Sequence, residues 1–157
     1  MNKQQPEKGF TMIEVMMVVV ILSMLAAVAI PRVSSSAEVA RKNSDIATAH
    51  QVKAALDRYQ VENGIYPKTG EITVSNGTVS ASGLIPQYIG KLDKSTTQQR
   101  ATDAQKGFGV TKLETNGAFP STAPTNLIMI YLTDDGSAAE VRAYDAGLQN
   151  TLWSSAN

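Results

Sequence analysis

Phe10 to Pro31 reads FTMIEVMMVVVILSMLAAVAIP, and Glu14 is its only ionisable side chain. At about 1.5 Å rise per residue this stretch spans roughly 33 Å as a helix, close to the thickness of a bilayer hydrocarbon core. Its valines and isoleucines lower helix propensity in water, but within lipid every backbone polar group must be satisfied inside the segment, which enforces a helix. A membrane-spanning helix is therefore expected over 10–31. Residues 1–9, MNKQQPEKG, form a short polar leader carrying Lys3 and Lys8. Two ordinary readings fit this layout. One is a secretory signal cut at the small-x-small site Ala27-Val28-Ala29, and the other is a plain single-span anchor. Neither has a use for Glu14, whose carboxylate costs a few kcal/mol to place in lipid and points to a partner.

Composition narrows the rest. The 157 residues hold 14 basic and 14 acidic side chains, one histidine and no cysteine. One ordinary domain fits this length. Thiol chemistry, disulfides and multi-histidine metal sites are excluded. The basic residues are dispersed, so nothing supports a nucleic-acid partner. No nucleophile elbow, phosphate loop or paired metal ligands occur, so neither catalysis nor a cofactor is expected.

Beyond Pro31 the apolar residues fall into a helical period. Val39, Ile46, Ala49, Val52, Leu56 and Tyr59 share one face, while Arg41, Lys42, Asp45, Lys53, Asp57 and Arg58 lie between them as a solvated face. A helix from about Phe10 to Glu62 is expected, continuing through Pro31 with a kink, because proline lacks the N–H and its ring crowds the Ala27 carbonyl. Asn63-Gly64 is a helix stop and Pro67 prevents continuation. The segment EITVSNGTVSA carries a hairpin signal at Asn76-Gly77. Residues 93–106 are polar and read as an exposed loop. Strands are expected over 108–113, 126–133 and 140–144. The simplest architecture is α+β: a long N-terminal helix, membrane half (10–31) and amphipathic half (32–62), packed on a small antiparallel meander in a head over 63–157. Trp153 is expected to pin the C-terminus, and His50 to serve surface or packing. Asp134 and Asp135 are weak candidates for a cation, but Asp-Asp-Gly between two strands is already a good turn.

The run Lys8-Gly9-Phe10-Thr11-Met12-Ile13-Glu14, followed by an apolar stretch ending at Pro31, closely resembles the N-terminus of bacterial type IV pilins and type II secretion pseudopilins. Met12 and Val15 replace commoner leucines. Tyr59 to Pro67, YQVENGIYP, and Gly83 to Leu92, GLIPQYIGKL, also resemble segments of that family. The resemblance implies cleavage after Gly9 by a prepilin peptidase and N-methylation of the new terminal residue, Phe10. It further implies a role in assembly for Glu14 at the fifth mature position, where it would meet the Phe10 amine of a neighbouring copy. The partners implied are other copies of the chain in a helical filament, the peptidase, an inner-membrane assembly platform, and lipid before assembly. The implied location is the cytoplasmic membrane for the precursor, with residues beyond Arg32 outside, and an extracellular filament afterwards. A pilus subunit is the leading expectation; a secretion or competence pseudopilin, or a small secreted binding protein cut after Ala29, are the alternatives.

Overall fold

A computed structural model describes residues 9–114 and 117–156, so residues 1–8 of the expected leader lie outside the described part. The chain divides into two compact units, with the boundary between Glu38 and Val39. Helix α1, Met12–Asn63, contributes to both and contains Pro31 in its interior. In the first unit none of its described residues is buried except in part.

The second unit is built on the last turns of α1. Ala49, Val52, Ala55 and Leu56 recur at helical spacing and are completely buried, flanked by the half-buried Ile46 and Tyr59. Val39, expected on the same face, is instead exposed. The buried stripe faces the central sheet, whose strands are β3 Phe108–Lys112, β4 Ile128–Leu132, β5 Ala139–Tyr144 and β6 Thr151–Ser154, in that spatial order. Phe108, Ile128, Ile130, Leu132, Val141 and Ala143 join the helix stripe in one core. A separate hairpin pairs β1 Thr73–Ser75 with β2 Thr78–Ser80 across Asn76-Gly77, the turn expected from sequence. Both turn residues have positive φ, +50° and +73°. A side chain at Gly77 would stand 2.3 Å from the Lys106 carbonyl oxygen, so only glycine fits. That close approach lets the Gly77 carbonyl accept the Phe108 N–H at 3.0 Å, tying the hairpin to β3.

Three expectations need correction. The sheet is not a pure antiparallel meander, because β3 and β4 are parallel, Phe108 opposite Ile128 and Lys112 opposite Leu132. Parallel neighbours need a crossover of a dozen or more residues, and segment 113–127 is long enough to provide it. Leu113 and Phe119 from this segment pack with Met129, Tyr131 and Tyr144 in a second apolar cluster. Alternate residues of β4 thus enter two different clusters, which explains why all five are buried and why its sequence is continuously apolar. Gly109 permits the crossover to return closely, since a β-carbon there would lie 2.9 Å from Thr125 Oγ1. The Tyr131 and Tyr144 hydroxyls share a 2.7 Å hydrogen bond inside this cluster, and burial followed by that bond raises the Tyr131 hydroxyl well above the usual tyrosine range.

The second correction concerns the C-terminus, where a fourth strand, β6, carries Trp153 and pairs antiparallel with β5. The third concerns polarity. Asp45, expected on a solvated face, is fully buried, and segment 93–106 buries Thr97 and Gln99. The Asp45 carboxylate accepts the Gln98 N–H at 2.6 Å, the Gln99 N–H at 3.1 Å and Gln99 Nε2 at 3.0 Å. Gln99 Nε2 also donates to the Tyr144 carbonyl at 2.9 Å. One carboxylate with three N–H donors thereby ties α1 to the loop, and through Gln99 to the end of β5. Asn126 adds a further tie, donating to the carbonyls of Ala104 and Lys106.

Removing that acceptor leaves buried donors unpaired, each costing about 1–3 kcal/mol. Asp45→Ala is expected to destabilise the second unit by about 2–4 kcal/mol, and Asp45→Asn by nearly as much, because its amide NH2 would face a donor. Denaturant unfolding followed by the single tryptophan, Trp153, measures both; a loss below about 1 kcal/mol would show that the tether is replaceable.

Candidate functional site

The N-terminal end of α1 is built by its first polar residues. Gly9, Phe10 and Thr11 precede the helix and are exposed. Thr11 acts as the cap. Its N–H donates to Glu14 Oε2 at 2.8 Å, its hydroxyl donates to the same oxygen at 2.9 Å, and Thr11 Oγ1 accepts the Glu14 N–H at 3.3 Å. This reciprocal pairing is a capping box, Thr-x-x-Glu, and it satisfies donors a helix start otherwise leaves open. The Thr11 role was legible in that spacing and was missed. Glu14 Oε2 is thus committed locally, while Oε1 accepts no hydrogen bond among the described residues.

Gly9 stands in open space. A β-carbon built on it meets nothing within 4 Å among the described residues. Phe10 is 86% exposed, and the large apolar side chains from Met12 to Val33 are exposed as well. By length and composition the helix is apolar enough to cross a membrane. Ser23 does not interrupt this surface, because its hydroxyl donates back to the Val19 carbonyl at 2.7 Å. The small-x-small site at Ala27-Val28-Ala29 lies inside continuous helix, as does Pro31.

The other sequence candidates are placed elsewhere. Asp134 pairs with Lys112, and Asp135 Oδ1 accepts the Ser137 N–H at 3.0 Å and the Ser137 hydroxyl at 2.7 Å. Those bonds, the backbone one first, hold the Asp135 carboxyl down to about 2. Both aspartates serve the β4–β5 turn. Among the described residues no cluster of three or more metal-ligating side chains occurs. His50 is exposed and its ring lies 4.1 Å from that of Trp153.

A family model described as the prokaryotic N-terminal methylation motif matches residues 5–30. Over 71 residues the chain is 37% identical to type II secretion system core protein G of Vibrio cholerae, covering 45% of this chain and 49% of that protein. It is 40% identical over 67 residues to the core protein G of Pseudomonas aeruginosa, covering 43% and 47%. It is also 36% identical over 83 residues to the type IV major pilin protein PilE of Neisseria gonorrhoeae, covering 53% and 48%. By these matches the N-terminal part of the chain is similar to type IV pilins and to type II secretion system core protein G. The chain spans about half the length of the curated relatives it matches. No solved structure matches it.

Asp134 and Asp135, each with its own partner, belong to the turn at Gly136. A carboxyl held below its ordinary value of about 3.8 stabilises the fold above that value and loses its contribution as pH falls through about 2. Amide exchange at Ser137 is expected to be protected at pH 6 and to lose that protection progressively between about pH 4 and pH 2. Asp135→Asn should flatten the profile, and an unchanged profile in that variant would remove the carboxylate from the turn.

Proposed function

We propose that this chain is the structural subunit of a bacterial type IV pilus, held in the cytoplasmic membrane as a precursor and polymerised through its N-terminal helix. The observation that carries the reading is the exposed apolar surface of α1 from Met12 to Ile30, interrupted by one carboxylate in a capped first turn. Lipid covers such a surface before assembly and neighbouring helices cover it afterwards. Because lipid tails are as apolar as leucine, transfer between the two gains little from the hydrophobic effect and relies on close packing and polar pairing. Extraction therefore needs an energy source, supplied by an inner-membrane assembly platform.

A prepilin peptidase cuts between Gly9 and Phe10, where the backbone is exposed and not yet helical. The Phe10 amine then becomes a methylated, positively charged terminus at the edge of the apolar region. A buried ammonium and a buried carboxylate are each costly alone and cancel as a pair. The free Oε1 of Glu14 is the acceptor this amine needs, and pairing between adjacent copies fixes their axial register. Pro31 withholds a hydrogen bond from the Ala27 carbonyl and stands among Ala26, Ala27 and Ala29, so it marks the place where packed helices bend and approach closely.

A second reading, a type II secretion pseudopilin, has the support of the similarity to core protein G. It uses the same helix and the same chemistry and differs in where the filament ends. Surface filaments that vanish when the chain is deleted favour the pilus, whereas lost secretion without visible filaments favours the pseudopilus.

Mass spectrometry of the mature chain is expected to find methylated Phe10 as its first residue; a start at Ile30 would replace this reading with secretion. Glu14→Ala should leave leader removal and membrane retention intact while lowering incorporation into filaments at least tenfold. Wild-type filament yield from that variant would refute the role given to Glu14.

A further inference from the structure

The chain has one histidine and one tryptophan, and the fold stacks them. His50 stands on α1, one residue beyond the buried Ala49, and is exposed as a residue. Trp153 lies in β6, opposite Ala143 of β5, and packs half-buried against the core beneath the helix. The ring centroids are 4.1 Å apart with planes inclined at 39°. Strand β6 ends the sheet and has β5 as its one strand partner, so this contact joins the last strand directly to the helix.

We propose that His50 and Trp153 form a proton-responsive clasp, which holds the C-terminal strand more firmly when the imidazole is charged. A cation within about 6 Å of an indole face is attracted by the ring quadrupole, and tryptophan is the strongest aromatic partner. Imidazole is the side chain that ordinarily changes charge between pH 5 and 8.

The charged groups nearest to His50 and Trp153 along their own and neighbouring elements have other partners. On α1, Asp45 is held by Gln98 and Gln99, while Lys53 pairs with Asp57. On β5 the residues that share the helix-side core with Trp153 are Val141 and Ala143, both uncharged, whereas Arg142 lies over the Phe119 ring of the other cluster and donates to Ser154 Oγ, and Glu140 accepts the Ser155 hydroxyl. Tyr144 bonds Tyr131, and beyond it Asp145 is held by Gln149 and Asn150. No carboxylate pairs with His50 among the described residues, so the indole face is the group that answers its charge.

The test uses the full-length protein in detergent micelles. Hydrogen exchange of residues 151–154, corrected for the intrinsic pH dependence of exchange, is expected to show roughly two- to fivefold greater protection at pH 5.5 than at pH 8, the ratio a surface cation–π contact supports. Trp153 fluorescence should change over the same interval. His50→Gln should hold the low-protection value at both pH values, and His50→Arg, permanently charged and able to stack, should hold the high value at both. Equal protection of the wild-type chain at the two pH values overturns the proposal. So does a pH effect that survives in His50→Gln, or low protection in His50→Arg.

Discussion

Contact between a stripe of small and branched side chains on α1 and the inner face of the sheet is the constraint on which the second unit rests. Ala49, Val52, Ala55 and Leu56 are fully buried, and the residues that meet them, such as Ile128, Ile130, Leu132 and Val141, come from the two central strands. A sheet this small cannot bury enough apolar area on its own surfaces. The helix supplies the missing layer, and alanine at two of the four positions lets it lie close. Replacing either alanine with a larger residue would force the layers apart. The same helix therefore has different surroundings along its length. After Glu38 it is a core element, and before Val39 its apolar side chains have no cover within the unit.

Polar chemistry completes what apolar packing leaves loose. Segment 93–106 has few apolar residues with which to hold itself down, yet it covers the core near Thr97 and Gln99. Its anchorage is a carboxylate without a cation beside it. Asp45 is satisfied by three N–H donors, two of them backbone, so its acceptance fixes the path of the loop as well as its position. Gln99 then passes the constraint to the Tyr144 carbonyl, and Asn126 repeats the device between the loop and the start of β4. Side chains with defined hydrogen-bond directions place a polar loop more specifically than a few apolar contacts would.

What could be read in the sequence was local. Hydrophobic period gave α1, Asn76-Gly77 gave the hairpin, and the apolar runs gave β3, β4 and β5 to within about two residues. The parallel pairing of β3 with β4 was not legible, because register is decided by where a long crossover delivers the chain and not by the strands themselves. Strand β6 is only four residues, Thr-Leu-Trp-Ser, too short for alternation to declare itself. Asp45 misled because a charged residue between basic ones on a helix ordinarily faces water, and its donors lie 53 and 54 positions away. At the N-terminus the residues were legible as a motif, whereas the part played by Thr11 required the geometry of the cap.

That cap bears on how the Glu14 carboxylate would act in the assembly proposed above. An uncapped Glu14 at the start of an apolar helix would sample several rotamers, and each would have to be frozen before a partner amine could be met. Thr11 holds Oε2 through two donors and so fixes the direction of the carboxyl group, leaving Oε1 as the available acceptor. In the filament proposed above, pairing with an incoming amine then needs no exchange of the existing bonds. The helix start stays intact, the ordering cost is met inside the subunit before contact, and the gain on contact goes to register. Thr11 is therefore the residue that turns a merely tolerated charge into an oriented one.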